Sequence, residues 1–219
     1  MSTSTHLRWS LVVPVKVLAE AKSRLAAAAG PHREALALAV AADTVSAALR
    51  SDRVQKVIVV TDDPRAARAL SGLGATIVPD EPDAGLNAAL SYGAGHALAG
   101  TGVGALSADL PALRTAELTR ALDAAAGAPR SFVADTPLLG TTLYAVRPGA
   151  PFEPRFGTDS RLEHRAQGAR EVVLDDIASV RRDVDTLADL RDAHGLGLGP
   201  RTSAVAALVF SRVAETSTG

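Results

Sequence analysis

Residues 11–16, Leu-Val-Val-Pro-Val-Lys, form a short apolar run with β-branched residues that ends directly in a lysine. This pattern predicts a buried β-strand that opens onto a polar loop. A second run of this kind spans 57–61, and the Asp62-Asp63-Pro64 that follows it predicts a turn and a helix cap. Between the two runs, apolar residues recur at steps of three and four from Pro31 to Arg50, which predicts an α-helix.

Predicted strands and helices continue to alternate along the chain. We expect helices at 65–73, 86–98 and 115–126, and strands at 75–79 and 103–107. Strict alternation implies right-handed crossovers and a three-layer α/β fold with a mostly parallel sheet. In such sheets, ligands bind beyond the carboxyl ends of the strands.

The pattern loosens after residue 126, and a Pro-containing loop separates two further predicted strands. This half of the chain is therefore expected to include an antiparallel element. We interpret residues 1–219 as a single domain, with a core at about 8–200 and a C-terminal tail at 201–219. The remaining predicted elements are strands at 131–134, 141–146, 171–174 and 180–184, and helices at 159–167, 185–194 and 204–213.

Composition excludes several classes of protein. The 23 basic residues, 3 Lys and 20 Arg, are matched by 24 acidic ones, so the net charge of −1 offers no basic excess for nucleic acid. With no cysteine, disulfides, zinc–thiolate sites and thiol nucleophiles are excluded, which suits a reducing compartment. No apolar run approaches the roughly 18 residues of a membrane span. We therefore expect a soluble, cytoplasmic protein with no membrane partner.

Three cations, Lys16, Lys22 and Arg24, follow the first predicted strand. They repel one another unless an anion binds there, and loops over the end of a sheet commonly hold phosphates. An ordinary solvated basic loop is the alternative. The segment lacks both the G-x-x-x-x-G-K-[ST] phosphate loop and the G-x-G-x-x-G fingerprint, which disfavours a P-loop kinase or a dehydrogenase.

Carboxylates follow two other predicted strands. Asp109 comes after the strand at 103–107, while Asp183 and Asp185 come at the end of the one at 180–184, where strand alternation would turn both to the same side. Hard oxygen ligands of this kind suit Mg²⁺, which takes one or two carboxylates together with phosphates and water. The alternatives are a turn carboxylate for Asp109 and a helix cap for Asp185.

The segment Phe156-Gly157-Thr158-Asp159-Ser160 precedes the predicted helix at 159–167. Backbone N–H groups, a glycine and a serine hydroxyl together could form an anion pocket, to which Thr141 and Thr142 would add hydroxyls. A plain helix cap by Asp159 or Ser160 is the alternative. His164 is the histidine that could reach this pocket, and local structural support is its alternative role.

Five motifs follow one another along the chain: Pro14-Val15-Lys16-x-Leu18-x-x-Ala21-Lys22-Ser23-Arg24-Leu25, Gly85-Leu86-Asn87-x-Ala89-Leu90, Ala108-Asp109-Leu110-Pro111, Phe156-Gly157-x-x-Ser160-x-x-x-His164 and Asp183-Val184-Asp185-Thr186-x-x-Asp189-Leu190. Taken together and in this order, they resemble one family, the guanylyltransferases acting on 2-phospho-L-lactate or phosphoenolpyruvate in deazaflavin coenzyme F-420 biosynthesis. The likeness runs from about residue 8 to 200 and is strongest to the actinobacterial members that use phosphoenolpyruvate, including the stretch Ser131-Phe132-Val133-Ala134-Asp135.

The resemblance implies a nucleotidyltransferase fold of the glycosyltransferase-A type that transfers GMP from GTP to the phosphorylated acid and releases pyrophosphate. It implies that Lys16, Lys22 and Arg24 hold the GTP phosphates and that Asn87 lies near the nucleoside. From the residues alone, Asn87 could equally cap its helix.

The resemblance further implies that Asp109 and Asp183, with Asp185 as a further candidate, bind Mg²⁺. It also implies a hand-over of the product to the next transferase of coenzyme F-420 biosynthesis.

For the acceptor, the resemblance implies that Thr141, Gly157 and Ser160 hold the phosphorylated acid. This chain departs from the family at 136–140, where Thr-Pro-Leu-Leu-Gly replaces a more Gly- and Thr-rich loop. Phosphoenolpyruvate, 2-phospho-L-lactate and 3-phosphoglycerate all carry a phosphate and a carboxylate on a three-carbon frame, so the residues leave the acceptor open.

No general base is needed for this reaction, because a phosphate with a second pKa of about 6 is already ionised at neutral pH. Two other classes of protein remain as alternatives. A sugar-phosphate nucleotidyltransferase would usually have a Gly-rich loop where this chain has Val15-Lys16-Val17. A nucleotide-binding regulatory protein would have kept the fold and lost turnover, which the presence of Asp109 and Asp183 argues against.

Overall fold

The structure is a computed structural model that describes residues 6–81 and 83–217. The central sheet has seven strands in the order β3-β2-β1-β4-β6-β5-β7. The strands are β1 Trp9–Pro14, β2 Val54–Val60, β3 Thr76–Val78, β4 Gly102–Leu106, β5 Arg130–Ala134, β6 Thr141–Val146 and β7 Arg170–Glu171.

Helices connect most of the strands. Short 3₁₀ turns at Ser23–Leu25 and Gly30–His32 flank the first of them. The α-helices are α1 Ala26–Ala29, α2 Arg33–Leu49, α3 Pro64–Ser71, α4 Leu86–Ala94, α5 Thr115–Ala125, α6 Ser160–Ala166, α7 Ala178–Arg181, α8 Leu187–Leu196 and α9 Pro200–Ser217.

The sheet is mostly parallel, as the alternating pattern predicts. β1 pairs in parallel with both β2 and β4, and β3 and β7 extend the sheet in parallel at its two edges. β6 is the antiparallel element, since it runs opposite to β4 and β5 on either side. The expected reversal in the second half of the chain is thereby confirmed.

The apolar run of β1 is buried on both faces because helices cover each side of the sheet. Leu11 and Val13 face the layer that contains α2, α3 and α5, while Val12 faces α4. The packing of α4 requires Gly93, where a Cβ atom would lie 2.5 Å from Cγ1 of Val12 and 2.8 Å from Cγ2 of Val60. This close approach holds the C-terminal end of α4 against β1 and β2.

The C-terminal segment is a helix rather than a tail. α9 is longer than the helix predicted at 204–213 and packs against α2, where Ala206 and Val209 join a buried cluster with Leu36 and Val40. The Asp43 carboxylate of α2 accepts hydrogen bonds from the N–H groups at the start of α9. Burial of apolar surface and this cap together hold α9 on the domain.

The strand predicted at 180–184 is wrong. Residues 178–181 form the short helix α7, and 182–186 lead without a strand into α8. Val180 and Val184 are both buried, but in different hydrophobic clusters. The two buried valines therefore gave the sequence the appearance of a strand where there is none. Thr186 caps α8 in a capping box with Asp189, and Asp185 therefore does not have the cap role that was its alternative.

Replacing Asp43 tests how α9 is attached. Its carboxylate accepts from the Thr202 N–H at 2.7 Å and the Arg201 N–H at 3.4 Å in a buried position. We expect Asp43→Ala to lower the free energy of unfolding by about 1–3 kcal/mol, because it removes a helix cap and leaves a buried N–H unpaired. Urea denaturation measures the change, and exposed Asp175→Ala is the control. Equal stabilities of the two variants would contradict the assignment.

Candidate functional site

The loop after β1 is held in place by two side chains from elsewhere in the chain. Asp63, the cap of α3, accepts a hydrogen bond from the Leu18 N–H at 2.9 Å. Arg33 of α2 donates to the carbonyl groups of Leu18, Ala19 and Ala21. Because its backbone is fixed in this way, the loop carries its cations in a defined position over the sheet.

A cleft of about 430 Å³ opens at the carboxyl ends of β1 and β4. It is lined by the loop after β1, by α2, by the first turns of α4 and by the segment that follows β4. The cleft lies beyond the carboxyl ends of the central strands, which is where the sequence predicts a ligand site. The charged residues that line it are Lys16, Glu20, Lys22, Arg24, Asp109 and Asp185.

Lys22 is the centre of the charges in this cleft. Its Nζ donates to Oδ2 of Asp109 at 2.7 Å and to Oδ1 of Asp185 at 3.2 Å. Lys22 has the left-handed backbone conformation, with φ of 54°, directly before the 3₁₀ turn that starts at Ser23. The backbone thus turns the lysine inward to two carboxylates from distant parts of the chain.

The ammonium of Lys22 stays charged at neutral pH. Burial alone would lower its pKa, but the charges and hydrogen bonds of Asp109 and Asp185 outweigh burial and raise it. Arg24 also lies near Asp185, with 3.6 Å between Nη1 and Oδ2. Lys16, by contrast, is exposed and has no ion-pair partner within the described part of the chain. Two of the three expected cations are therefore already partly balanced by carboxylates.

Asp183 lies beside Asp109 without being part of a strand. The Val184 N–H donates to the Asp109 carbonyl at 3.1 Å, which brings the two segments together. Burial, followed by the negative charges of Asp109 and Asp135, raises the pKa of Asp183 to about 7. Asp183 has no ion pair with a cation among the described residues. It is therefore a carboxylate placed where a positive charge would be stabilising.

The donor set at this point fits a magnesium ion. No cluster of three or more metal-ligating side chains occurs within residues 6–81 and 83–217. The neighbouring carboxylates of Asp109 and Asp183 are nevertheless the one or two oxygen donors that Mg²⁺ takes in nucleotide sites, where phosphates and water complete the coordination. Asp185 differs from them, because Lys22 and Arg24 already engage its two oxygens.

Thr141, Ser160 and His164 come together on the other side of the Asp109 segment. The Ser107 N–H donates to the Thr142 carbonyl at 2.8 Å, so the start of β6 lies beside the residues that lead to Asp109. Thr141 and Ser160 are buried, and Oγ1 of Thr141 is 3.0 Å from Nδ1 of His164. Asp159 precedes α6 but makes no side-chain cap, so the expected plain cap by Asp159 is not present.

Gly157 is exposed and has φ of 155°, which favours glycine, and nothing lies within 4 Å of the place where a Cβ atom would be. The preceding Phe156 lines the cleft. Its backbone carbonyl accepts from Nδ2 of Asn87 at 3.0 Å, and its N–H donates to Oδ1 of Asn87 at 2.8 Å. The Asn87 amide thus ties α4 to the segment before Gly157. The residue before α4 is Gly85, and Asn87 does not cap the helix.

The sequence predicted no role for Asp135 or Arg33. Asp135 accepts hydrogen bonds from the N–H groups of Leu139 and Gly140 at 2.9 and 2.8 Å, and it thereby closes the loop before Thr141. An Asp at the start of a short loop that ends in Gly is a recognisable turn signal. Arg33 lies in the first turn of a predicted helix, and nothing in its local sequence indicates that it binds the carbonyls of another loop.

Comparison with known proteins identifies the family. Residues 9–202 match the family described as "Guanylyl transferase CofC like". This chain belongs to that family. The phosphoenolpyruvate guanylyltransferase of Thermomonospora curvata is 65% identical over 223 residues, covering 100% of this chain and 98% of the relative. That of Streptosporangium roseum is 58% identical over 208 residues, covering 94% and 93%.

Solved structures share the fold of this CofC-like chain. A putative nucleotide-diphospho-sugar transferase from Desulfovibrio desulfuricans has a TM-score of 0.60 at 16% identity, covering 86% of this chain and 96% of the other. A CMP:2-keto-3-deoxy-manno-octonic acid synthetase complexed with CTP has a TM-score of 0.57 at 16% identity, covering 86% and 98%. The expected nucleotidyltransferase fold is confirmed.

A search of the described helices finds none with the length and apolar character needed to cross a membrane.

The buried imidazole of His164 predicts a loss of stability in acid. Burial, together with the nearby charge of Arg155, lowers its pKa from 6.5 to about 4, although a hydrogen bond donated to the Ser160 carbonyl acts in the opposite direction. The contribution of the neutral imidazole to the free energy of unfolding is complete above pH 6.5 and is lost as pH falls towards 4. In this range the unfolded chain takes up a proton that the folded chain does not.

Between pH 7.5 and pH 5, we expect the wild-type protein to lose about 2 kcal/mol more unfolding free energy than His164→Gln. Urea denaturation at the two pH values measures this difference. Parallel losses in both proteins would contradict a neutral buried imidazole.

Proposed function

We propose that this protein is a guanylyltransferase that transfers GMP from GTP to phosphoenolpyruvate, giving enolpyruvyl-diphospho-guanosine and pyrophosphate in coenzyme F-420 biosynthesis. The observation that carries the proposal is the charged cleft beyond β1 and β4, where cations for a triphosphate lie next to carboxylates for a metal ion. The names of the 65% and 58% identical relatives support the choice of nucleotide and acceptor.

Lys16, Lys22 and Arg24 are proposed to hold the GTP phosphates. Lys16 is exposed at the cleft and has no ion-pair partner among the described residues, so its ammonium is available to an anion. Lys22 lies deeper, between carboxylates that keep it protonated. Fixed cations of this kind stabilise the negative charge that develops on the leaving pyrophosphate.

Asp109 and Asp183 are proposed to bind Mg²⁺, which would supply positive charge to neutralise the phosphates. Of the two later aspartates, Asp183 is the preferred ligand because it is half-buried beside Asp109 and has no cationic partner among the described residues. Asp185 is proposed to orient Lys22 and Arg24 instead.

Thr141, Gly157 and Ser160 are proposed to hold the phosphorylated acid. Thr141 and Ser160 are brought together by His164, and Gly157 leaves its backbone open to a ligand. Asn87 is proposed to lie near the nucleoside of GTP. Its amide also holds the Phe156 backbone, through a hydrogen bond at the oxygen and one at the nitrogen.

The transfer needs no general base from the protein. An oxygen of the ionised acceptor phosphate forms a bond to the α-phosphorus of GTP. The bond between that phosphorus and the oxygen bridging to the β-phosphorus breaks, and pyrophosphate leaves with the electron pair. The arrangement of His164 agrees with this, because both of its ring nitrogens already make hydrogen bonds within the protein.

We also propose that residues 1–219 act as a single domain, which the shared seven-stranded sheet and the packing of α9 on α2 support. The lack of cysteine supports a cytoplasmic location. Hand-over of the product to the next transferase of the pathway is part of the same proposal.

One assay tests the reaction. Purified protein with Mg²⁺ is given each nucleoside triphosphate with phosphoenolpyruvate, 2-phospho-L-lactate or 3-phosphoglycerate, and pyrophosphate release is measured. We expect turnover with GTP and phosphoenolpyruvate, and a loss of at least about a hundredfold in Asp109→Asn. Release with ATP but not GTP would overturn the base assignment, and near-normal turnover of Asp109→Asn would overturn the metal assignment. GTP binding without any turnover would favour a regulatory protein.

Lys22→Arg tests the need for a compact ammonium. Because Lys22 is enclosed between two carboxylates, we expect the larger planar guanidinium to lower kcat/KM by about tenfold or more. Lys56→Arg is the matched control, since Lys56 lies in β2 and donates to the His96 carbonyl away from the cleft. Full activity of Lys22→Arg would show that lysine is not required there.

A further inference from the structure

His164 connects two parts of the proposed acceptor site through the two nitrogens of its ring. Nε2 lies 3.0 Å from the Arg155 backbone N, and Nδ1 lies 3.0 Å from Oγ1 of Thr141. The ring is fully buried and stacks on Tyr144, with 4.5 Å between ring centroids and 14° between their planes. Its orientation is therefore fixed by packing as well as by hydrogen bonds.

The hydrogen bond at Nε2 determines the tautomer of His164. A backbone N–H can only donate, so Nε2 accepts from Arg155 and carries no proton. The proton of the neutral ring is then on Nδ1. Thr141 Oγ1, 3.0 Å away, must accept from this Nδ1–H, which also faces the Ser160 carbonyl.

This geometry leaves the hydroxyl proton of Thr141 free. An oxygen that accepts from His164 directs its own O–H elsewhere, and Thr141 Oγ1 has no other hydrogen-bond partner among the described residues. The residue is buried at the start of β6, beside the segment that leads to Asp109. A buried donor without a partner is costly, and a ligand with an anionic oxygen would satisfy it.

The Nε2 bond fixes the backbone on the opposite side of the ring. The N–H groups of Arg155 and Phe156 are consecutive, and the first donates to His164 of α6 while the second donates to Asn87 of α4. Two side chains from different helices therefore hold the segment that leads directly into Gly157. The exposed backbone of Gly157 is thereby held in a fixed position relative to Thr141.

We propose that His164 is a positioning residue for the phosphorylated acid: Nδ1–H turns the Thr141 hydroxyl into a hydrogen-bond donor towards the substrate anion, and Nε2 holds the backbone before Gly157. The inference rests on the proposed function, because the acceptor is taken to lie between Thr141 and Gly157. It adds a residue that touches neither the substrate nor the reacting atoms but determines the donor set of the acceptor site.

Two variants of His164 separate its two hydrogen bonds. In His164→Gln the amide oxygen can accept from the Arg155 N–H, but the donor to Thr141 is lost. In His164→Asn the amide can donate to Thr141, but the acceptor for Arg155 is lost. We expect KM for phosphoenolpyruvate to rise about tenfold in His164→Gln, with KM for GTP changed less than about twofold.

A double-mutant cycle with Thr141→Val gives the decisive measurement. Thr141→Val should itself raise KM for phosphoenolpyruvate about tenfold. Adding His164→Gln to it should then change KM less than about twofold, since both act through one hydroxyl, whereas the effects of His164→Asn and Thr141→Val should multiply. An unchanged KM in His164→Gln or in Thr141→Val, or full multiplication of those two effects, would overturn the proposal.

Phe132→Leu is the control for a general loss of packing. Phe132 contacts the His164 ring, with 5.7 Å between centroids, but makes no bond to Thr141 or Arg155. We expect its melting temperature to fall without a change in KM for phosphoenolpyruvate. A tenfold rise of that KM in Phe132→Leu would show that loosened packing is sufficient, and would overturn the specific role of His164.

A failure of the proposed reaction can be distinguished from a failure of the proposed role of His164. If the wild-type protein released no pyrophosphate with any acceptor, the proposed reaction would fail, and calorimetric binding of phosphoenolpyruvate in the presence of Mg²⁺ would decide the inference. A Kd about tenfold weaker in His164→Gln than in the wild type would support it. Equal Kd values, or no binding to either protein, would overturn it.

Discussion

The Lys22 ammonium, enclosed between the carboxylates of Asp109 and Asp185, joins three parts of the chain that are far apart in sequence. A largely buried ammonium is stable only when it is paired, so Lys22 depends on the two carboxylates. β1 and β4 are neighbours in the sheet, which places the loop after β1 directly beside Asp109. The parallel sheet therefore supplies the meeting point, and the ion pairs fix the loop and the segment before α8 to it.

The reversal of one strand brings the proposed acceptor residues to this meeting point. β6 runs antiparallel to β4, so its first residue, Thr141, lies at the end of the sheet where β4 finishes. In a purely parallel sheet the residues at this edge would all follow strands, whereas here a residue that begins a strand takes part. α6 then lies over β5 and β6 and places His164 against Thr141. The sheet topology thus places the proposed nucleotide residues and the proposed acceptor residues at the same end of the sheet.

The sequence predicts the sheet well because its central strands are continuous apolar runs, and it predicts the charged residues of the cleft because they follow those runs. It fails at 180–184, where Val180 is in a helical turn and Val184 packs in a separate cluster, since local spacing cannot show which cluster a residue joins. Hydrogen bonds between side chains and distant backbone groups also cannot be predicted from the neighbouring residues. Asn87 and Phe156 are 69 residues apart, and nothing near Asn87 indicates that its amide binds that backbone.

The same lysine can fasten the cleft and still contact a phosphate. An ammonium has three N–H donors, and Asp109 and Asp185 engage two of them, so one remains for an oxygen of a bound anion. Lys22 uses Oδ2 of Asp109, so Oδ1 of that carboxylate is the oxygen available to the proposed metal ion beside Asp183. Structural support and ligand binding therefore do not compete for the same atoms. The proposed binding of a triphosphate therefore does not require these ion pairs to break first.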